Sequence, residues 1–205
     1  MPDLAVTCTC NAFSATLRGL TPKRVINRLV CYCRDCQAFA HHLHRQSDAL
    51  DGRGGTRLFQ TQPHRVEIAR GREQLATLRL SNRGPLRWFA TCCNTPLCNT
   101  LPTRLIAFVS LIERPGQFTH DEQATLGPVR GAVFHKEAKD GPDPALPTPN
   151  PYLLLGPTLG HALGAFVTGR YKRNAFFTSD GRPIAEPIHL TAEERSMLHE
   201  RVRAA

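Results

Sequence analysis

The chain has 205 residues and carries 26 Lys and Arg against 17 Asp and Glu, a formal charge of +9. That length is enough to bury a core, and one domain over 1–205 is expected, a core over 4–100 with an extension over 101–205 packed on it. No apolar run approaches the ~20 residues of a membrane span, and Met1-Pro2-Asp3-Leu4-Ala5-Val6 lacks the basic and apolar blocks of a secretory signal, so a cytoplasmic protein with no membrane role is expected.

In chain order, Val6, Cys8 and Cys10, then Phe13, Ala15 and Leu17, alternate with polar residues from Leu4 to Leu20. A period of two predicts a β-hairpin, with its turn near Asn11. A second strand, Arg28 to Cys33, runs into Cys31-Tyr32-Cys33-Arg34-Asp35-Cys36, and Asp35 to Leu43 then predicts a short helix with Cys36 on its first turn. After the glycine-rich turn Asp51-Gly52-Arg53-Gly54-Gly55, the segments Thr56 to Gln60, Arg65 to Ala69 and Gln74 to Leu80 predict an antiparallel meander. Leu86 to Ala90 predicts one more strand, delivering the chain to Cys92-Cys93.

Beyond Thr100 there are no cysteines. An apolar patch at Leu105 to Ile112 suits helix or strand, and the proline-rich passage from Gly141 to Pro157 predicts a surface loop. Thr158 to Tyr171 places Leu159, Leu163 and Phe166 at helical spacing, with Arg170, Lys172 and Arg173 at the end where the helix dipole favours cations. Thr191-Ala192-Glu193-Glu194 has capping-box spacing and opens a last helix to about Arg203.

All eight cysteines fall into three short clusters, each at a predicted strand end. In a reducing compartment clustered thiols serve metals or catalysis, and a vicinal Cys92-Cys93 disulfide would be strained, so disulfides are the lesser alternative. Thiolates are soft ligands, and zinc takes four at structural sites but three protein donors plus an open position at catalytic ones. Cys8, Cys10, Cys92 and Cys93 make a closed set of four. Cys31, Cys33 and Cys36 make three, with a position left for water or an incoming thiol.

The C-x-C, C-x-C-x-x-C and vicinal pair, with Arg87-Trp88-Phe89 before Cys92-Cys93-Asn94-Thr95-Pro96-Leu97, resemble the superfamily of glutathione-dependent formaldehyde-activating enzymes and centromere protein V, as an uncharacterised branch. The resemblance covers Leu4 to Thr100, and Tyr171 to Phe177 and Asp180 to Pro187 are similar to the same branch. It implies a mainly β fold, a zinc-binding β-tent of antiparallel sheets here extended by C-terminal helices, and carbon–sulfur lyase chemistry with glutathione as the thiol and an aldehyde as its partner. Cys8 and Cys10 match the family's first motif and Cys31, Cys33 and Cys36 its central triplet, the catalytic candidates. The chain departs at Phe89-Ala90-Thr91-Cys92-Cys93-Asn94-Thr95, where the family writes Phe-Cys-x-x-Cys-Gly-Thr. Cys93 keeps its place and Ala90 lacks the thiol, leaving Cys92 or Cys98 to complete the closed set.

Arg34 is the candidate for offsetting glutathione's carboxylates, against a solvated surface arginine. Asp35 is a donor-orienting group, a base or a plain helix cap; His41, His42 and His44 are better explained as exposed or core-edge imidazoles, and Cys98 as a small buried hydrophobe. The alternative function is a non-catalytic zinc-stabilised module whose positive charge contacts an acidic partner. Nucleic acid is weakly supported, since no basic run interleaved with aromatics stands out.

Overall fold

The computed structural model describes residues 3–141 and 143–204, so Met1, Pro2, Ala205 and, within the proline-rich passage, Pro142 lie outside the described residues. Alternating apolar residues form β1 (Leu4–Thr7) and β2 (Ser14–Leu17), paired across a turn in which Asn11 takes a φ of 59°. β3 (Asn27–Cys31) leads into α1 (Arg34–His42) and the short α2 (Gln46–Ala49). The Asp51 turn, whose carboxylate accepts from the amides of Arg53 and Gly55, opens β4 (Thr56–Thr61). β5 (Val66–Arg70), β6 (Leu75–Arg79), β7 (Leu86–Ala90), β8 (Thr95–Thr100) and β9 (Val109–Ile112) follow. Then come α3 (His120–Leu126), β10 (Ala132–Val133), α4 (Pro151–Val167), β11 (Pro187–His189) and α5 (Ala192–Ala204).

The fold is mainly β with helices added toward the C-terminal end. Among the described residues, a three-stranded sheet has order β1-β2-β5 and an eight-stranded sheet has order β10-β3-β4-β9-β8-β7-β6-β11. Pairing is antiparallel except at the two margins of the larger sheet, where β10 joins β3 and β11 joins β6 in parallel. Both marginal strands come from the C-terminal half, which thereby closes the edges that the first hundred residues leave open.

The expected meander does not form. β5 crosses to the smaller sheet and pairs β2, while β4 and β6 stand apart in the larger one with β9, β8 and β7 between them. Single turns of 3-10 helix at Pro63–Arg65 and Arg72–Gln74 redirect the chain on either side of β5. Gly71, at φ 72°, passes so close to the β1–β2 turn that a Cβ there would sit 2.3 Å from the Ala12 carbonyl oxygen; glycine alone permits this exit.

The larger sheet is covered on both faces, which is why β3, β7, β8 and β9 are buried throughout. One face meets the smaller sheet, with Leu4, Val6 and Leu17 packed against Phe59, Trp88 and Val109. Trp88 is fully buried there and donates its indole N–H to the Thr100 hydroxyl at 2.9 Å. The other face meets α1 and α5 through Leu29, Leu58, Phe89, Phe39, Leu198 and Val202. Both thiol-bearing ends of the sheet are held by these two layers.

A buried ion pair fixes β3 against the segment after β9: Arg28 donates to both oxygens of Glu113, at 2.6 and 3.0 Å, with both side chains at most 6% exposed. Truncating one member leaves the other charge unpaired in the interior. Glu113→Ala is expected to cost about 3–5 kcal/mol, read as a fall in the urea midpoint at unchanged slope.

The helix expected from Thr158 begins earlier, at Pro151. Asn150 caps it by accepting from the Tyr152 amide, and Pro151 at its first position lacks only an N–H that no helix would use. Pro157 therefore lies inside α4 rather than in the loop. The outward face of α4 is apolar, with Tyr152, Leu153, Leu159 and Leu163 exposed, yet no helix among the described residues is long and apolar enough to cross a membrane. The capping box at Thr191 forms as expected, the Glu194 amide donating to its hydroxyl at 3.1 Å.

Candidate metal centre

Two hairpin turns on different sheets supply the first thiol group. Cys8 and Cys10 stand in the β1–β2 turn and Cys92 and Cys93 in the β7–β8 turn, where Asn94 takes a φ of 54°. Their sulfurs all lie within 4.8 Å of one another. Adjacent sulfurs are 3.5 Å apart for Cys8–Cys10, 3.3 Å for Cys10–Cys92, 3.7 Å for Cys8–Cys92 and 3.8 Å for Cys92–Cys93. Every one of the cysteines is free, and four thiolates around a zinc at ~2.3 Å would stand about 3.8 Å apart along each edge of a tetrahedron. The four residues thus fit a closed site for a metal ion such as zinc, with Cys92 rather than Cys98 as the fourth thiol.

The surroundings favour the thiolate at Cys93, while burial and hydrogen bonds from its neighbours push the Cys92 thiol up. Burial opposes ionisation of Cys93, but hydrogen bonds with the Thr9 and Thr95 hydroxyls override it and bring its pKa down to about 5. The Phe13 amide donates to Cys8 Sγ at 3.3 Å. Arg45, just past α1, donates from Nε to the Cys93 carbonyl at 2.8 Å and from Nη2 to the Thr9 hydroxyl at 3.3 Å, so one side chain ties both turns together.

The second group is Cys31, Cys33 and Cys36. β3 ends at Cys31, and Cys33 holds the N-cap position of α1 in extended conformation (φ −60°, ψ 143°), turning the chain so that Cys36 comes back over Cys31 at 3.7 Å. Among the described residues no fourth Cys, His, Asp or Glu joins them. The hydrogen bonds shared with Cys31 and Cys33 hold Cys36 well below the ordinary thiol range despite its burial, with Arg87 adding to the effect. The same bonds, with burial, push Cys31 well above it. Within the trio, ionisation is therefore favoured at Cys36 over Cys31.

Arg87 is the group that sequence reasoning passed over. It lies on β7 on the same face as Phe89, is 4% exposed, and its guanidinium sits 5.6 Å over the Phe39 ring. Its Nη1 stands 3.7 Å from Cys36 Sγ and 3.4 Å from Asn99 Oδ1. A strand arginine with no carboxylate partner among the described residues, buried beside three thiols, is a counter-charge for thiolates; the signal in the sequence was one arginine in an otherwise apolar strand.

A cleft of about 590 Å³ opens beside the triplet, walled by Cys33, Cys36, Arg87 and Asn99 from the core and by Arg195 and His199 from α5. Arg34 stands at its rim and is paired with Glu137. Asp35 is not a helix cap: its carboxylate accepts from Arg195 Nη2 at 3.0 Å and from His199 Nε2 at 2.9 Å, anchoring α5 over α1. His41 and His42 are half-buried and His44 exposed, outside both thiol groups.

Cys98 belongs to neither group. It points into the core between the sheets, 1% exposed, and burial pushes its thiol well above the usual range. Cys98→Ala is expected to cost about 1 kcal/mol of stability while leaving bound metal per chain unchanged by elemental analysis.

No curated protein matches the chain. Over residues 3–188 it matches the family of unknown function DUF6151, and the chain belongs to that family.

Proposed function

We propose that the protein is a zinc-dependent carbon–sulfur lyase of the glutathione-dependent formaldehyde-activating type, which forms or cleaves a thiol–aldehyde adduct beside Cys31, Cys33 and Cys36. The observation that carries this reading is the asymmetry of the two thiol groups: one offers four donors, the other three, and only the latter lines the cleft. The motif resemblance of Cys8 to Cys93 supports it. A zinc ion held by the three thiolates would keep one coordination position for an incoming thiol and lower that thiol's pKa.

The chain's own residues have separable tasks. Cys31 and Cys36 are buried and Cys33 half-buried, and Cys33 and Cys36 line the cleft. Arg87 keeps its charge in the interior and offsets the thiolates. The reaction joins the thiol sulfur to the aldehyde carbon and moves the thiol proton to the carbonyl oxygen; the lyase direction returns both, and neither needs a further reactant. Among the cleft-lining residues His199, oriented by Asp35, is the imidazole suited to carry that proton.

The test is the rate at which glutathione and formaldehyde equilibrate with their adduct, followed by exchange NMR with zinc-loaded protein. Acceleration over the uncatalysed exchange supports the lyase. Full zinc content without acceleration would favour instead the non-catalytic module, whose partner the +9 charge would attract.

A further inference from the structure

The strand register builds a polar row on an otherwise apolar sheet face. Arg87 on β7 stands opposite Asn99 on β8, Asn99 opposite Ser110 on β9, and Ser110 opposite Gln60 on β4. Their neighbours on the same face are Phe89, Ile112 and Leu58, packed under α1 and α5. Three residues of the row, Arg87, Asn99 and Ser110, line the cleft beside the triplet.

Two of these side chains hold buried polar atoms with no hydrogen-bond partner among the described residues, Arg87 Nε and Ser110 Oγ, and both residues are only 4% exposed. Arg195 Nε, on the opposite wall, is a third such atom. Buried donors are nearly always satisfied, and three of them on residues that line one cleft point to a group that binds there. The acids of the cleft do not serve, because Asp35 is engaged by Arg195 and His199 and Glu137 by Arg34. What remains on offer is two guanidinium N–H groups and one hydroxyl.

We propose that this cleft contains a carboxylate-binding subsite formed by Arg87 and Ser110 on the sheet and Arg195 on α5, which selects for acid-bearing ligands. α5 begins after residue 188, beyond the stretch matched to the family. That the selected ligand is a thiol rests on the function proposed above; the subsite itself does not. Planar guanidinium donors suit a carboxylate, which takes two N–H groups at once.

The experiment uses zinc-loaded full-length protein and two probes in isothermal titration: S-methylglutathione, which keeps both carboxylates and has no free thiol, and cysteamine, a thiol with no carboxylate. S-methylglutathione is expected to bind the wild type and to lose about tenfold or more in affinity in Ser110→Ala and in Arg195→Gln, since each removes a hydrogen bond to a charged group. Cysteamine binding is expected to stay unchanged in both variants, and circular dichroism with the unfolding midpoint checks that they fold. If S-methylglutathione fails to bind the wild type, or binds both variants as it binds the wild type, the subsite is overturned. Failure of cysteamine to bind the wild type, with S-methylglutathione bound there and weakened in both variants, would strike the triplet's thiol chemistry while upholding the subsite.

Discussion

Cys10→Ser is expected to lose one bound metal per chain and to loosen the smaller sheet before the rest of the protein unfolds. Cys8 and Cys10 belong to the hairpin of the smaller sheet and Cys92 and Cys93 to a hairpin of the larger, so an ion shared by the four would clamp one sheet to the other at a single end. Structural zinc in small domains contributes about 10–16 kcal/mol of apparent binding free energy, comparable to the 5–15 kcal/mol by which a whole domain is stable. Here the core between the sheets shares that burden, through Leu4, Val6, Leu17 and Trp88, so the variant keeps a folded larger sheet. The check is hydrogen exchange: protection should fall in β1, β2 and β5 and persist in β7, β8 and β9. A chelator should reproduce the pattern in the wild type.

Cys33→Ser is expected to do the opposite, abolishing chemistry with a smaller effect on stability. Cys33 is the least buried of the triplet and faces the cleft, and its structural contribution to α1, its backbone carbonyl accepting from the amides of Cys36 and Gln37 at 3.0 and 3.2 Å, survives the substitution. Adduct exchange should fall at least about a hundredfold, since even groups that only orient metal ligands cost 10–100-fold when removed. Equal exchange rates in Cys33→Ser and the wild type would remove the triplet from the mechanism.

Local pattern made much of this architecture legible. The alternation around Cys8 and Cys10 located the first hairpin and its turn at Asn11, because a period of two needs no tertiary information. Thr191 and Glu194 announced α5 through a cap that is complete within four residues. Thr119 and Glu122 form an equally complete box at the start of α3, a signal that was present and passed over. β8 was hidden by Pro96, which the sheet accepts where the β7–β8 register shifts between Trp88 and Phe89.

What failed was partner choice. Alternation at Val66 and Ile68 marks a strand, but nothing in those residues says that β2 rather than β4 receives it; a glycine at position 71 and a tight passage past Ala12 decide that. The thiol clusters were legible as groups because each is local and their chemistry is shared. The Asp35–His199 contact, which sets α5 on the cleft wall, joins residues 164 positions apart and left no local trace.

X-ray absorption at the zinc edge, with elemental analysis of the same sample, tests the central claim most directly. The account predicts two zinc ions per chain in sulfur-rich environments, one with four thiolates and one with three and a lighter donor, the latter lost in Cys33→Ser. Protein that folds fully without metal, the cysteines of both thiol groups all open to a thiol reagent, would contradict it.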